Sequence, residues 1–255
     1  MIRSPKAYHV GDSRCQHGKT DPGNLPWDVL MGKPLVIEEK VDGSEASLYF
    51  NDDLELIVAT RGEPAPKQGN FAPLWAWAQT HTDGLFDTLS DRYVMFGQWA
   101  HLKHTIFYDK LPPFPFIEED IYDREQDRWL DTPSRREVVA TLPGIESVPV
   151  MFQGLIPPPG AQAIRFRYLV QSRFQSLLWQ GPFVEQCRRI GMNLGTLIDE
   201  TDHSDLAEGF YIKVEIDGQV VERYKVVRLE FLQIILQNES HWKTRRAFPN
   251  ISRAT

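Results

Sequence analysis

From Val36 to Phe50 the chain reads VIEEKVDGSEASLYF. Polar and apolar residues alternate at both ends, as they do along strands with one buried face. Lys40 interrupts the pattern, with Glu38 and Glu39 before it and Asp42-Gly43 after it. The strand runs LVIEEK, SLYF and LELIVAT, parted by the glycine turn and by Asn51-Asp52-Asp53, predict an antiparallel meander from Leu35 to Ala59. A lysine at the mouth of such a sheet, aimed by rigid neighbours, is a candidate nucleophile. With an ordinary pKa of ~10.4, only about one lysine in a thousand is neutral near pH 7, so nearby cations or desolvation must depress it. Arg61, Lys213 and Lys225 are the cations on offer. A strand-end lysine paired with Glu38 or Glu39 on the surface fits the pattern as well.

Further along, APLWAWAQT (residues 72–80) reads as a short aromatic helix or a loop, and residues 93–99 and 114–122 read as buried strands around a proline-rich loop. Ser134-Arg-Arg-Glu137 has the capping-box spacing of a helix start, with an end at Pro143-Gly144. Residues 157–160 (PPPG) read as a surface loop, and residues 172–180 as a helix stopped by Gly181-Pro182. Residues 209–216 and 220–227 form a hairpin around Asp217-Gly218, and a last apolar helix, residues 229–237, leads into a polar tail. Strands in runs with helices between them favour an α+β fold with antiparallel sheets over strict α/β alternation. Neither G-x-G-x-x-G nor G-x-x-x-x-G-K occurs.

The net charge of −7 excludes a domain that holds nucleic acid by bulk charge, so any such contact needs a local patch. Two cysteines make no disulfide framework and suit a reducing compartment. With no long apolar run and no signal-peptide core at the start, the expectation is a soluble, cytoplasmic protein without a membrane partner.

Lys40-Val-Asp-Gly43 resembles the K-x-D-G motif of covalent nucleotidyltransferases, the superfamily of DNA ligases, RNA ligases and capping enzymes. The segments downstream of it are similar, in order, to the motifs of the ATP-dependent RNA ligase family. Ala59-Thr-Arg-Gly62 looks like its arginine motif, and residues 96–104, 108–112 and 116–123 resemble its third motif and the strand downstream. Glu208-Gly-Phe-Tyr-Ile-Lys213 looks like E-G-x-V-x-K, Arg223-Tyr-Lys-Val-Val-Arg228 like the final lysine motif, and His241-Trp242 with Pro249-Asn250 like the tail of bacterial members.

The resemblance implies a fold of two packed antiparallel sheets flanked by helices, with ATP between them. It places a nucleotidyltransferase domain over residues 1–228 and a short helical tail over 229–255, leaving no room for an OB-fold. The chemistry it implies is a lysyl-AMP at Lys40, transfer of AMP to a 5′-phosphate, and sealing to a 3′-hydroxyl of RNA. Phosphoryl centres gain charge in each step, so cations and Mg²⁺ or Mn²⁺ should supply most of the catalysis. Lys225 would grip the α-phosphate with Lys213 in support, and Glu208 would hold the metal or its water, with Gly209 letting backbone approach the nucleotide. Glu39 would accept from the adenine amine, and Gly43 would make room; Arg61 would contact ribose or the substrate phosphate, or else pair with Glu63 on the surface, and Phe116 would stack on the base or belong to the core. Asp42 would orient Lys40 or cap its turn.

Two positions depart from the family pattern. Gln98 stands where the third motif usually has glutamate, and it still hydrogen-bonds but carries no charge. Glu45 stands where many members have an amide or another polar residue. A DNA nick-sealing ligase, a GTP-using capping enzyme and a degenerate ATP-binding module of a repair complex remain alternatives, and an end-healing kinase or phosphatase partner is left open. Cys15 and His17 read as loop rather than half a metal site, and His101 and His104 as loop or phosphate-facing. Trp75 and Trp77 read as core. The arginine pairs 135–136, 165/167, 188–189 and 245–246 read as a phosphate-tracking groove or as solvated faces.

Overall fold

The computed structural model describes residues 2–11, 13, 24–156, 171–237 and 246–254. Cys15, His17, the 157–160 loop, Arg165, Arg167, His241, Trp242 and Arg245 lie outside them. In chain order the strands are β1 Tyr8–His9, β2 Pro34–Lys40, β3 Ser44–Phe50, β4 Leu56–Thr60, β5 Glu63–Pro64, β6 Tyr93–Trp99, β7 Phe116–Asp123, β8 Arg128–Trp129, β9 Glu146–Ser147, β10 Val150–Leu155, β11 Gly209–Ile216 and β12 Gln219–Val227. The helices are α1 Ala72–Thr80, α2 Thr82–Leu89, α3 Thr132–Val139, α4 Gln180–Ile190, α5 Leu194–Asp199 and α6 Leu229–Gln237.

The fold is α+β, built on two sheets. One has the order β1-β12-β11-β2-β10; the other runs β5-β4-β3-β6-β7-β8, with β9 paired to β7. The expected meander is therefore cut in two. β2 and β3 lie in different sheets, and Val41-Asp42-Gly43 is the crossover between them; only β3 and β4 pair. Pairing is antiparallel apart from the short β1 and β9 contacts, which are parallel.

Alternation decides what each face buries. Leu35 and Ile37 of β2 join Phe210, Ile212 and Val214 of β11 in a core covered by Trp27, Val29 and Leu30. The other face of the same strands carries Glu38, Lys40, Tyr211 and Lys213, and it faces the second sheet. That sheet has its own apolar core, where Leu48, Phe50, Met95, Trp99 and Phe116 pack with Leu74, Leu85 and Leu89 of α1 and α2.

Two helix ends differ from the sequence expectation. α3 starts one turn earlier than the capping-box pattern places it, because Asp131 accepts from the Ser134 N–H at 3.0 Å and is the N-cap. The helix expected over 172–180 is a series of turns, and α4 begins where it was to stop. Gly181-Pro182 sits in the first turn of α4, where backbone N–H groups have no intrahelical acceptor and proline loses nothing. The β11–β12 turn is as expected: Asp217 and Gly218 both take positive φ, 50° and 76°. In α6, Phe231 and Leu232 bury against Val41, Ile106 and Tyr108. Asn250 ties the C-terminal segment to the domain through Tyr108 N and Ala100 O. Among the described residues, no helix is long and apolar enough to cross a membrane.

Candidate active site

β2 ends at Lys40 opposite Gly209, the first residue of β11, so the lysine stands at the open end of the sheet. Glu208, just before that strand, puts Oε1 at 2.6 Å from Lys40 Nζ. The Tyr211 ring lies 5.4 Å from the amine. Lys225 of β12 pairs in register with Tyr211 and so projects on the same face, close enough for its charge to act on Glu208.

This geometry inverts one expectation. Burial pulls the Lys40 pKa down, but the Glu208 carboxylate, with Tyr211 and Glu119, outweighs it and holds the amine above the ordinary lysine range. Lys40 is a charged, paired lysine in this state. Of the three cations expected to depress its pKa, Lys225 lies on the same face and the other two are placed elsewhere. Arg61 sits exposed in the β4–β5 turn at φ 53°, and Lys213 is engaged deeper in the sheet, level with Val36. Glu208 itself is pushed up by burial, against the pull of Lys40.

Glu39 points to the opposite face from Lys40, as alternate strand residues must. It is fully buried, accepts from Ser172 Oγ and from Arg173 N at 2.9 Å, and burial raises its pKa to about 7. Asp42 neither touches Lys40 nor merely caps its own turn. Its Oδ2 accepts from Thr105 N at 2.7 Å and Ile106 N at 2.8 Å, which locks the crossover to the loop after β6. Gly43 makes room for β6: a Cβ there would lie 3.1 Å from Gln98 Cβ and 3.2 Å from Trp99 O. Gly209 serves strand packing, since a Cβ there would fall 1.9 Å from Val226 O. Gln98 faces Glu45 in register and donates from Nε2 to Glu119 Oε2 at 3.0 Å. Phe116 is fully buried in the second sheet's core, with no face open to a base.

Behind the Lys40 rim the two sheets are joined by a buried charge network. Lys213 Nζ lies 2.8 Å from Glu38 and 3.1 Å from Asp120, and it donates to Glu119 O. Arg135 reaches from α3 to Glu38 and, at 2.6 Å, to Glu118, while Arg223 meets Asp120 at 3.1 Å. Lys213 is thus a strut between sheets, and burial, with Arg135, lowers its pKa to about 8. Arg135 is buried whereas Arg136, Arg188, Arg189 and Arg246 are exposed, so among the described residues the pair 135–136 is split between the interior and the surface. Sequence reasoning missed Tyr211, Glu119 and the buried role of Arg135. Tyr211 was readable, because it shares strand parity with Gly209 and Lys213; Arg135 looked like any surface helix arginine.

Glu119 completes the rim. Its Oε1 is buried without a hydrogen-bond partner, and burial raises its pKa to about 7, opposed first by the Gln98 amide and then by Lys40. An orphaned carboxylate oxygen is costly unless something else meets it.

A family model described as RNA ligase matches residues 33–227. Among solved structures, Naegleria gruberi RNA ligase with PPi is similar at a TM-score of 0.55 and 18% identity, over 83% of this chain and 54% of that one. A lysine-to-alanine mutant of that ligase with ATP and Mn gives 0.53 and 19%, over 81% and 53%. An apo aspartate-to-alanine mutant gives 0.55 and 17%, over 83% and 54%. The chain spans about half the length of those proteins. The comparison with curated proteins gives no match.

Proposed function

The chain belongs to the RNA ligase family, and on that premise we propose that it is an ATP-dependent RNA ligase that carries AMP on Lys40, transfers it to a 5′-phosphate end and seals that end to a 3′-hydroxyl. The observation that carries the reading is the Lys40–Glu208 pair, 2.6 Å apart at the open strand end, with Lys225 on the same face. A nucleophilic amine must be neutral. Glu208 Oε1 is in place to take the Nζ proton, and burial, which raises the Glu208 pKa, narrows the gap that this transfer has to cross. The free amine then attacks the α-phosphorus of ATP, the bond to the bridging oxygen breaks, and pyrophosphate leaves. Lys225 meets the charge that builds on the α-phosphate.

The residues fit the nucleotide and its metal. Glu208 and the orphaned Glu119 oxygen, two carboxylates that both act on Lys40, offer the hard oxygen donors that Mg²⁺ or Mn²⁺ prefers. The ion would neutralise phosphate charge there. Gln98, which lacks the usual charge, instead steers the Glu119 carboxylate. Glu39 remains the acceptor for the adenine amine on the far side of β2, and the base displaces the Ser172 and Arg173 contacts to reach it. Arg61, exposed at the rim of a neighbouring cavity, serves the RNA phosphate. The reading includes a cytoplasmic setting, the 229–255 tail as part of the same domain, and ends prepared by a kinase or phosphatase.

The test is incubation with [α-32P]ATP and Mg²⁺ or Mn²⁺. Acid-stable label on the wild-type chain and none on Lys40→Ala is expected. Equal labelling of the two, or no label on either, sinks the reading; label from GTP in place of ATP points to capping chemistry. Nicked duplexes with RNA or DNA on the 3′-hydroxyl side then separate RNA from DNA sealing.

A further inference from the structure

Beside the Lys40 rim, on the far side of the crossover, lies a cavity of about 520 Å³ with Ser44, Arg61, Gln98, His104 and Arg246 in its wall. Lys40 is not part of that wall, so the cavity suits the second reactant rather than ATP. Its cationic side chains fit a strand that carries phosphates.

From its wall inward, Ser44, His104 and Asp42 form a chain of polar contacts, met at the serine by Asn70. Asn70 Nδ2 donates to Ser44 Oγ at 3.1 Å, and Ser44 Oγ lies 3.3 Å from His104 Nε2. On the other side of the ring, His104 Nδ1 is 3.7 Å from Asp42 Oδ1. Asp42 cannot swing away, because its second oxygen holds Thr105 N and Ile106 N. With Asn70 as donor, the Ser44 hydroxyl keeps its own proton to give to Nε2. The matching tautomer has the imidazole proton on Nδ1, facing the Asp42 carboxylate. This is the tautomer that accepts a proton at Nε2 and has a carboxylate waiting for the imidazolium. All three residues are at least nine-tenths buried, which strengthens each electrostatic contact.

We propose that Ser44, His104 and Asp42 are a proton relay serving the 3′-hydroxyl in the sealing step, an inference that rests on the ligase reading above. The 3′-oxygen forms its bond to the 5′ phosphorus, and the bond from that phosphorus to the AMP phosphate oxygen breaks. AMP leaves with the electron pair. The 3′ proton passes to Ser44 Oγ as the serine proton moves to His104 Nε2, and Asp42 stabilises the imidazolium. The Asp42–His104 gap of 3.7 Å tightens as charge develops, since catalytic contacts are commonly long before substrate binds. Among the described residues, the other charged groups in the cavity wall with His104 are Lys103, next in the chain, and Glu45, Arg61, Glu200 and Arg246. They are the same in wild type and variant, so a difference between the two profiles reports on the imidazole.

The experiment uses the full chain and pre-adenylylated RNA with a 3′-hydroxyl acceptor strand, no ATP, in single turnover from pH 5.5 to 9. Lys40 labelling by [α-32P]ATP is measured on the same preparations. For His104→Gln, sealing is expected to fall by about 10²- to 10⁴-fold, far more than labelling, and the wild-type rise with pH through the histidine range to flatten. Ser44→Ala removes one oxygen and moves sealing in the same direction, which keeps the test informative if His104→Gln melts early. Sealing that falls no more than labelling in both variants, or an unchanged pH profile, overturns the relay and leaves the ligase reading standing. A wild-type chain that neither labels nor seals overturns both.

Discussion

Lys40 and Lys213 share one face of one sheet, and their amines are driven in opposite directions. Burial pulls both down. At Lys40 the Glu208 carboxylate, with Tyr211 and Glu119, reverses the pull and keeps the amine charged, whereas at Lys213 burial and Arg135 prevail over Asp120 and Glu118 and the pKa falls to about 8. On ionisation alone Lys213 is the better nucleophile. Its surroundings exclude that role: oxygens of Glu38, Asp120 and Glu119 close around Nζ, leaving no approach for phosphorus. Reach therefore decides before pKa does. Lys40 is held in reserve as an ion pair at an open edge, and Lys213 is consumed in holding two sheets together.

The largest effect expected from this contrast is on covalent labelling. Lys40→Ala should lose the adenylate altogether while its thermal melting stays within a few degrees of wild type, because Lys40 has one ion-pair partner and sits at the rim. Lys213→Met should do the reverse, with a clear loss of melting temperature from the unbalanced carboxylates it leaves behind. A Lys213→Met chain that melts like wild type yet takes no label would assign Lys213 to the chemistry and break the comparison.

Next in size is the network itself. Arg135 reaches both sheets from α3, through Glu38 and Glu118. Arg135→Leu leaves two buried carboxylates short of a partner, a loss of about 3–5 kcal/mol by the general behaviour of broken buried ion pairs. Urea unfolding at neutral pH reads it. A loss under 1 kcal/mol would mean that the carboxylates take up protons without strain and that the network is not what joins the sheets.

Glu208→Gln sharpens the ionisation half of the contrast. Labelling needs neutral Lys40, so its rate rises with pH until the amine is deprotonated. In the wild type Glu208 holds that point above the ordinary lysine range, and the rate should keep climbing through pH 9. Removing the carboxylate charge takes away the largest raising influence and leaves burial, which lowers. The rising limb should move to lower pH even as the maximum rate drops. A limb that stays in place would show that Glu208 does not set the Lys40 charge.

Local pattern encodes some of this and not the rest. β2, β3, β6, β7 and the β11–β12 hairpin were legible in the sequence because side-chain alternation and turn chemistry are local. That β2 and β3 belong to different sheets was not. The decision is made by Val41, buried under α6, and by Asp42, held by backbone 63 and 64 residues away. Lys40, Glu208 and Lys225 were placed by resemblance, and the structure brings them to one rim. The resemblance did not convey that Phe116 is core, since an aromatic on an apolar strand looks the same whether or not a ligand lies over it. Nor did it show that Lys213 is a strut, because its partners come from β2 and β7.

The smallest expected effect concerns the helix that delivers Arg135 to this network. The sequence pattern Ser-x-x-Glu points to Ser134 as the cap of α3, but the structure gives that task to Asp131, whose Oδ1 accepts from Ser134 N at 3.0 Å. Asp131→Ala should therefore cost about 1 kcal/mol, the usual value of an N-cap side chain. Ser134→Ala, which keeps the backbone N–H that Asp131 uses, should stay within about 0.5 kcal/mol. Because the first turn of α3 fixes where Arg135 begins its reach, the Asp131→Ala loss should shrink in an Arg135→Leu background. Strict additivity of the two substitutions would instead mean that the cap stabilises the helix alone, with no bearing on the charges between the sheets.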